Sequence, residues 1–160
     1  QPYAARGMAL VAVPRLGERL LARSNAAPVQ HQVRQLAGIL YGEPDAIEPG
    51  QLAVAAQERE RWLGQEHADA VLLQSLRSIV RQYAVPRWRS AWASARLVSC
   101  PTLIIVGGRD ALVHTSTAAR WRKILPTARV VHLPTTGHVA MMERPRLVAS
   151  MVREHVRTST

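Results

Sequence analysis

One apolar run constrains the fold of this chain more than any other feature of its sequence. Residues 102–106 read Thr-Leu-Ile-Ile-Val, and the pair Gly107-Gly108 ends the run. An apolar run without polar alternation is typical of a strand that is buried on both faces, as strands of parallel sheets are. The order of elements from this run onward, strand, helix, strand and helix, predicts a parallel pair of strands with right-handed crossovers. The three later elements are predicted at 115–125, with Thr115, Ser116 or Thr117 as its cap, at 129–133 and at 144–156.

The residues before this run carry helical periodicity. A turn-rich linker is expected at 45–50, and a shorter segment is expected to run from 86 to 95. The sequence therefore predicts an α/β protein in two parts, a helical region over 1–95 and a β-α-β-α unit over 96–160. Two parallel strands cannot form a stable sheet with both faces covered, so the α/β part is expected to be incomplete. Four stripes at helical spacing predict the helices: Leu16, Leu20 and Leu21; Val33, Leu36, Ala37 and Leu40; Leu52, Ala55, Ala56, Arg59, Trp62 and Leu63; and Leu72, Leu73, Leu76, Ile79, Val80 and Tyr83.

The composition is that of a folded protein without a membrane span. Hydrophobic residues make up 48% of the chain and charged residues 20%, which is a globular balance. No apolar run reaches the roughly 18 residues that a membrane span needs. Aromatic residues are scarce at 4% and Phe is absent, so the core is expected to consist of Leu, Val, Ile, Ala and the four Trp. The single cysteine, Cys100, is expected to be buried; it excludes an intrachain disulfide, which fits a reducing compartment and a cytoplasmic location.

The basic charge of the chain does not by itself indicate a nucleic-acid partner. The formal net charge is +10, from 21 Lys and Arg against 11 Asp and Glu. The arginines are spread along the chain, and the densest run, 81–96, interleaves them with Trp88 and Trp92. Arginine on a solvated helix face needs no partner, and that interpretation is favoured over a phosphate-binding surface. No nucleic-acid partner, metal or cofactor is predicted, since the six histidines are scattered without ligand spacing.

Two polar residues stand where functional groups of open α/β sheets are found. Asp110 follows the first predicted strand and its glycine pair, and His138 follows the second predicted strand and Gly137. Loops at the carboxyl ends of parallel strands open on the same edge of a sheet, so the two side chains are expected to meet. A carboxylate that binds one ring nitrogen fixes the tautomer of the imidazole and leaves the other nitrogen free as a base. The structural alternatives are a loop-capping Asp110 and a turn residue at His138.

These residues resemble the carboxy-terminal part of the α/β-hydrolase fold superfamily. Residues 100–110, Cys-Pro-Thr-Leu-Ile-Ile-Val-Gly-Gly-Arg-Asp, are similar to the strand and acid loop of that superfamily. Residues 133–138, Leu-Pro-Thr-Thr-Gly-His, are similar to its histidine loop, and Glu-Arg-Pro at 143–145 matches the start of its final helix. The resemblance implies a partial α/β-hydrolase fold in which Asp110 is the triad acid and His138 the triad base.

The resemblance further implies a hydrolase that cleaves an ester or related acyl bond of an apolar small molecule by a Ser-His-Asp mechanism. Residues 1–95 resemble the helical cap of such enzymes. The sequence contains no Gly-x-Ser-x-Gly elbow and no early His-Gly loop, and Ser75 and Ser78 lack flanking glycines. The chain is therefore predicted to be a fragment without a nucleophile, inactive alone. The identity of the nucleophile (Ser, Cys or Asp), the substrate and the oligomeric state stay open.

A non-catalytic interaction module is the alternative function. In that case the chain completes its sheet with a partner chain, or self-associates, because an incomplete sheet exposes an edge and an apolar face. A basic nucleic-acid binder is a third class, motivated by charge alone. An in-frame strand and Gly-x-Ser-x-Gly segment upstream of Gln1 would make this the tail of a complete hydrolase.

Overall fold

The computed structural model describes residues 7 and 9–159, and it divides along the chain into helices followed by a small sheet with its own helices. The helical part contains α1 (Leu16–Asn25), α2 (Val29–Leu40), α3 (Pro49–Leu63), α4 (Ala68–Ala84) and α5 (Ala91–Ala95), with single 3₁₀ turns at Pro44–Ala46 and Arg87–Arg89. The second part contains β1 (Leu103–Gly107), α6 (Thr117–Ile124), β2 (Arg129–Leu133), α7 (Ala140–Glu143) and α8 (Pro145–Thr158).

The predicted apolar stripes of the helical part all lie on helices, although each is covered over part of its length. Leu21 of α1, Val33 of α2 and Leu73 of α4 are buried. The linker that was predicted at 45–50 is shorter, because α3 already begins at Pro49. Proline suits the first position of a helix, where its missing N–H leaves no bond unmade.

The sheet consists of β1 and β2 among the described residues, and the two strands are parallel. Leu103 pairs with Arg129 and Gly107 with Leu133, so the strands are aligned along their whole length. β2 has its predicted bounds, and β1 lies one residue later than predicted. Burial increases towards the carboxyl end of β1, where Val106 and Gly107 are buried. This is the predicted partial α/β fold. The carboxyl end of β1, where the loop with Asp110 begins, is the better-buried end of that strand.

The core is built from small and aliphatic side chains, and the expectation that all four Trp form part of it is wrong for Trp88, while Trp62, Trp92 and Trp121 are half-buried. Trp88 is 75% exposed, and no large side chain is fully buried among the described residues. Cys100 is exposed rather than buried, because it lies in the approach to β1 where no described element covers it. The buried hydrophobic residues are Ala12, Leu21, Val33, Ala37, Ala56, Ala68, Leu73, Leu76, Val106, Ala118, Leu125, Leu133 and Ala140.

The two predicted helices of the second part, α6 and α8, differ from their predictions at their ends. α6 begins at Thr117, but none of the predicted hydroxyls caps it; instead the Nδ1 of His114 accepts from the backbone N–H of Ser116, at 3.2 Å. α8 runs two residues past its predicted end, and none of its residues is buried. Among the described residues, no helix has both the length and the apolar character that crossing a membrane requires.

Candidate active site

Asp110 lies in the loop after β1 and is held there by its own backbone. Its Oδ1 accepts from the N–H groups of Leu112 and Val113, at 2.7 and 2.9 Å. A carboxylate followed by a tight turn commonly folds back onto the next N–H groups in this way. The side chain is 7% exposed. One oxygen therefore fixes the rotamer of Asp110, and the second oxygen is left to act on another group.

The second oxygen of Asp110 meets the imidazole of His138. Nδ1 of His138 lies 2.9 Å from Oδ2 of Asp110. A carboxylate accepts, so this contact selects the tautomer with the proton on Nδ1. No partner for Nε2 is found in the described part of the chain, and the His138 side chain is 39% exposed. The structure thus brings together the two residues that the sequence singled out, with a nitrogen lone pair open to an incoming group.

Glycines allow the end of β1 and the His138 loop to touch backbone to backbone. A Cβ on Gly107 would collide with the carbonyl oxygen of Gly137, and a Cβ on Gly108 would collide with that of Pro134. The loops are also hydrogen-bonded, since the N–H of Arg109 donates to the carbonyl of Thr136 at 2.9 Å. This close approach sets the distance between Asp110 and the loop after β2 that carries His138.

The loop after α2 reaches the same site from the helical part. The carbonyl oxygen of Leu40 accepts from the N–H of His138 at 2.7 Å. Glu143 accepts from the N–H of Gly137 through Oε1 at 2.6 Å, and from the N–H of Gly42 through Oε2 at 3.1 Å. Sequence reasoning identified Glu143 only as the start of the final helix. The acidic residue two positions before Pro145 was the available signal in the sequence, and nothing in the sequence indicated its two hydrogen bonds to backbone N–H groups.

Charged and apolar groups surround this junction. Glu43 pairs with Arg109 at 2.9 Å and with Arg144 at 3.7 Å. The hydroxyl of Tyr41 lies 3.9 Å from the sulfur of Met142. Burial raises the pKa of Tyr41, and the negative charge of Glu143 raises it further. In the described residues, no three His, Cys, Asp or Glu side chains are placed to hold a metal ion.

Sequence comparison identifies the family to which this arrangement belongs. Residues 3–151 match the sequence model of the Alpha/beta hydrolase family. The chain belongs to this family. No match is found for this α/β-hydrolase chain among curated proteins.

Solved structures support the same fold. One similar structure is "a membrane phospholipase A, a novel bacterial virulence factor", with a TM-score of 0.59 and 18% identity over 81% of this chain. Another is a thermophilic esterase, with a TM-score of 0.55 and 15% identity, also over 81% of this chain. This α/β-hydrolase chain covers 38% and 46% of their lengths, so it spans less than half of either protein. At such identities the likeness concerns the fold, which is a partial α/β-hydrolase fold.

Proposed function

We propose that Asp110 and His138 are the acid and the base of a catalytic triad that hydrolyses an ester or related acyl bond. The 2.9 Å contact between Oδ2 of Asp110 and Nδ1 of His138 is the observation that carries the proposal. A buried carboxylate behind a half-exposed imidazole is the arrangement that general base catalysis requires. The helical residues up to 95 are the cap over this site.

In the proposed mechanism, Nε2 of His138 takes the proton of a nucleophilic hydroxyl as the oxygen attacks the carbonyl carbon. Asp110 stabilises the imidazolium that forms, because its Oδ2 accepts the Nδ1 proton. His138 then gives the proton to the leaving alcohol. In the second half of the reaction Nε2 takes a proton from water as the water oxygen attacks the acyl carbon, and His138 returns that proton to the oxygen of the nucleophile as the acid leaves. The chain has no Gly-x-Ser-x-Gly segment, so another segment supplies the nucleophile, and the chain alone is expected to be inactive.

Apolar side chains near the proposed base favour an apolar substrate. Met141 and Met142 follow the His138 loop and are 57% and 55% exposed. Methionine adapts its shape to apolar groups, and Tyr41 adds an aromatic surface beside Met142. The phospholipase and the esterase among the similar structures support an ester of this kind.

The test is an ester-hydrolysis assay of the protein in which this chain acts together with a Gly-x-Ser-x-Gly segment. His138→Ala is expected to lower kcat/KM by about a thousandfold or more, because the nucleophile loses its base. His132→Ala is the matched control, since His132 lies exposed on β2, and it should keep normal activity. Normal activity in the His138→Ala variant would make the proposal wrong.

A second candidate function is an interaction module that completes its sheet with a partner chain. It is favoured by the two-stranded sheet, in which β1 and β2 each keep one edge without a strand partner among the described residues. Such an edge carries backbone donors and acceptors that another strand can pair with. Co-purification of a partner that contains Gly-x-Ser-x-Gly would support this function, and recovery of the chain without any partner would contradict it.

A further inference from the structure

We propose that Glu143 is a positioning residue, which ties the His138 loop to the loop after α2 and so sets the imidazole only when the helical part is docked. The loop after α2 comprises residues 40–43, counted from the last residue of the helix. This inference rests on the proposed function, because it concerns the orientation of the proposed base. Glu143 does not touch the imidazole itself; it acts through the backbone on either side of the junction.

One carboxylate serves both loops. Oε1 of Glu143 accepts from the N–H of Gly137, the residue before His138, at 2.6 Å. Oε2 accepts from the N–H of Gly42 at 3.1 Å. Hydrogen bonds from N–H groups to an ionised carboxylate are roughly twice as strong as those between neutral groups. Removal of Glu143 would therefore leave two N–H groups without this acceptor, one on half-buried Gly42 and one on buried Gly137.

The backbone of His138 is clamped from two directions. Its own N–H donates to the carbonyl of Leu40 at 2.7 Å, while the preceding N–H donates to Glu143. The glycines at the junction leave no room for an independent shift, since a Cβ on Gly137 would collide with the carbonyl oxygen of Leu40. A displacement of residues 40–43 must therefore displace the His138 backbone as well.

This clamp acts on the direction in which the imidazole points. Oδ1 of Asp110 is fixed by its own loop, so the acid keeps its position independently of Glu143. The His138 ring meets that fixed acid at 2.9 Å only if the His138 backbone is held in place. Loss of Glu143 should loosen the backbone of His138, lengthen the ring's contact with Asp110 and free the ring to adopt either tautomer.

The experiment reads the tautomer of the neutral His138 ring from its ¹⁵N chemical shifts in the full 160-residue chain. In the wild type and in Glu154→Ala, the Nδ1–H tautomer should predominate. Glu154 is the matched control, a carboxylate on α8 that pairs with Arg129 across the surface at 3.0 Å. Glu143→Ala is expected to populate both tautomers. Glu143→Gln is expected to give an intermediate ratio, because it keeps one of the two acceptor oxygens and replaces the other by an NH2 donor.

Circular dichroism of each variant separates positioning from folding. A folded Glu143→Ala chain with an unchanged tautomer would overturn the proposal, since a residue that merely stabilises the fold would not affect the ring. If Glu143→Ala does not fold, Glu143→Gln decides: an intermediate ratio supports the proposal and the wild-type ratio overturns it. If the preference for the Nδ1–H tautomer is lost in Asp110→Asn but unchanged in Glu143→Ala, this inference is overturned and the proposed function is not. A wild-type ring without any Nδ1–H preference contradicts the Asp110–His138 pair and both proposals with it.

Discussion

Gly107, at the end of β1, has no side chain, and this allows the His138 loop to lie directly against the strand at the candidate site. A Cβ there would collide with the carbonyl oxygen of Gly137, which is backbone and cannot rotate away. Gly107→Ala is therefore expected to destabilise the chain by about 1–3 kcal/mol, as overpacking does. Gly38 is the contrasting position, because it lies within α2 and a Cβ there would meet nothing within 4 Å. Gly38→Ala should stabilise the chain by about 0.5–1 kcal/mol.

Urea denaturation of the two glycine variants tests this difference in sign. The wild type, Gly107→Ala and Gly38→Ala should share one m-value, so that the order of their midpoints reports stability. A Gly107→Ala variant as stable as the wild type would mean that β1 and the Gly137 carbonyl are not in contact.

Tyr41 makes stability depend on pH in the alkaline range. Burial, and after it the charge of Glu143, raises the pKa of Tyr41 in the folded chain above its ordinary value of 10.0. A raised folded pKa favours the protonated phenol, so its stabilising effect is complete below pH 10 and is lost as pH rises through the folded pKa. Tyr41→Phe should remove this part of the alkaline loss of stability.

Absorbance titration of the phenol near 295 nm measures the same pKa directly. Glu143→Gln should move the pKa of Tyr41 part of the way back towards its ordinary value, because burial remains when the charge is removed. An unchanged pKa of Tyr41 in that variant would argue that Glu143 lies farther from the ring than the structure places it.

At the scale of elements, a polar network joins the four long helices of the helical part. Gln32 of α2, 6% exposed, donates from Nε2 to the carbonyls of Asn25 and Ala27 at 3.1 and 2.7 Å. Its Oε1 accepts from Nε of Arg59, on α3, at 2.8 Å. Asn25 also binds Asp69 of α4, with Nδ2 2.9 Å from Oδ2. Because Gln32 stands at the centre, its loss leaves donors and acceptors unpaired on neighbouring helices.

Gln32→Ala is expected to cost about 1–3 kcal/mol of the free energy of unfolding, since buried polar groups lose their partners. Gln35→Ala on the same helix is the control, because Gln35 is exposed, and it should change stability by less than about 0.5 kcal/mol. Urea midpoints of both variants at equal m-values measure the difference. Equal effects of the two substitutions would contradict a structural role for the network.

Local patterns in the sequence predicted the elements better than the contacts between them. β2 could be placed at Arg129–Leu133 because a short β-branched run between turn residues is itself the signal. The bond between Glu143 and Gly42 joins residues 101 positions apart, and no local pattern indicates such a contact. The start of α6 differs from its prediction for another reason: His114 lies only two positions before Ser116 and accepts from its N–H, and cap preferences favoured the three hydroxyls over an imidazole.

At the scale of the whole molecule, the predicted topology was enough to anticipate the candidate site. The sequence did not indicate which parts of the apolar helix faces would be covered by other elements. Asp110 and His138 were expected to meet because both follow parallel strands, and the structure places them 2.9 Å apart. The burial of an apolar helix face depends on which other elements pack against it, and the spacing of apolar residues in the sequence does not indicate those elements. The stripe of α4 thus contains buried Leu73 near its start and ends at Tyr83, which is 85% exposed.

Exposed apolar faces predict that the isolated chain self-associates. On α8, Leu147 is 44% exposed and Val152 46% exposed. Contiguous apolar surface and free strand edges are the features that drive association of folded chains. Light scattering should therefore give a molar mass above that of the monomer, and the mass should increase with protein concentration. Association through the α8 face buries these two side chains, so replacing both by Gln should weaken it.

The control for this last prediction is Arg153→Gln, on the same helix and also exposed to solvent. It removes a charge without removing apolar surface, so it should not lower the molar mass. Reduced association in the Leu147→Gln, Val152→Gln variant with an unchanged Arg153→Gln variant would assign the contact to the apolar face of α8. Association that persists in both variants would exclude the α8 face and leave the strand edges and the other exposed apolar side chains, such as Tyr83, as the contact. A monodisperse monomer at every concentration would contradict self-association and would mean that this two-stranded unit tolerates its exposed surface in water.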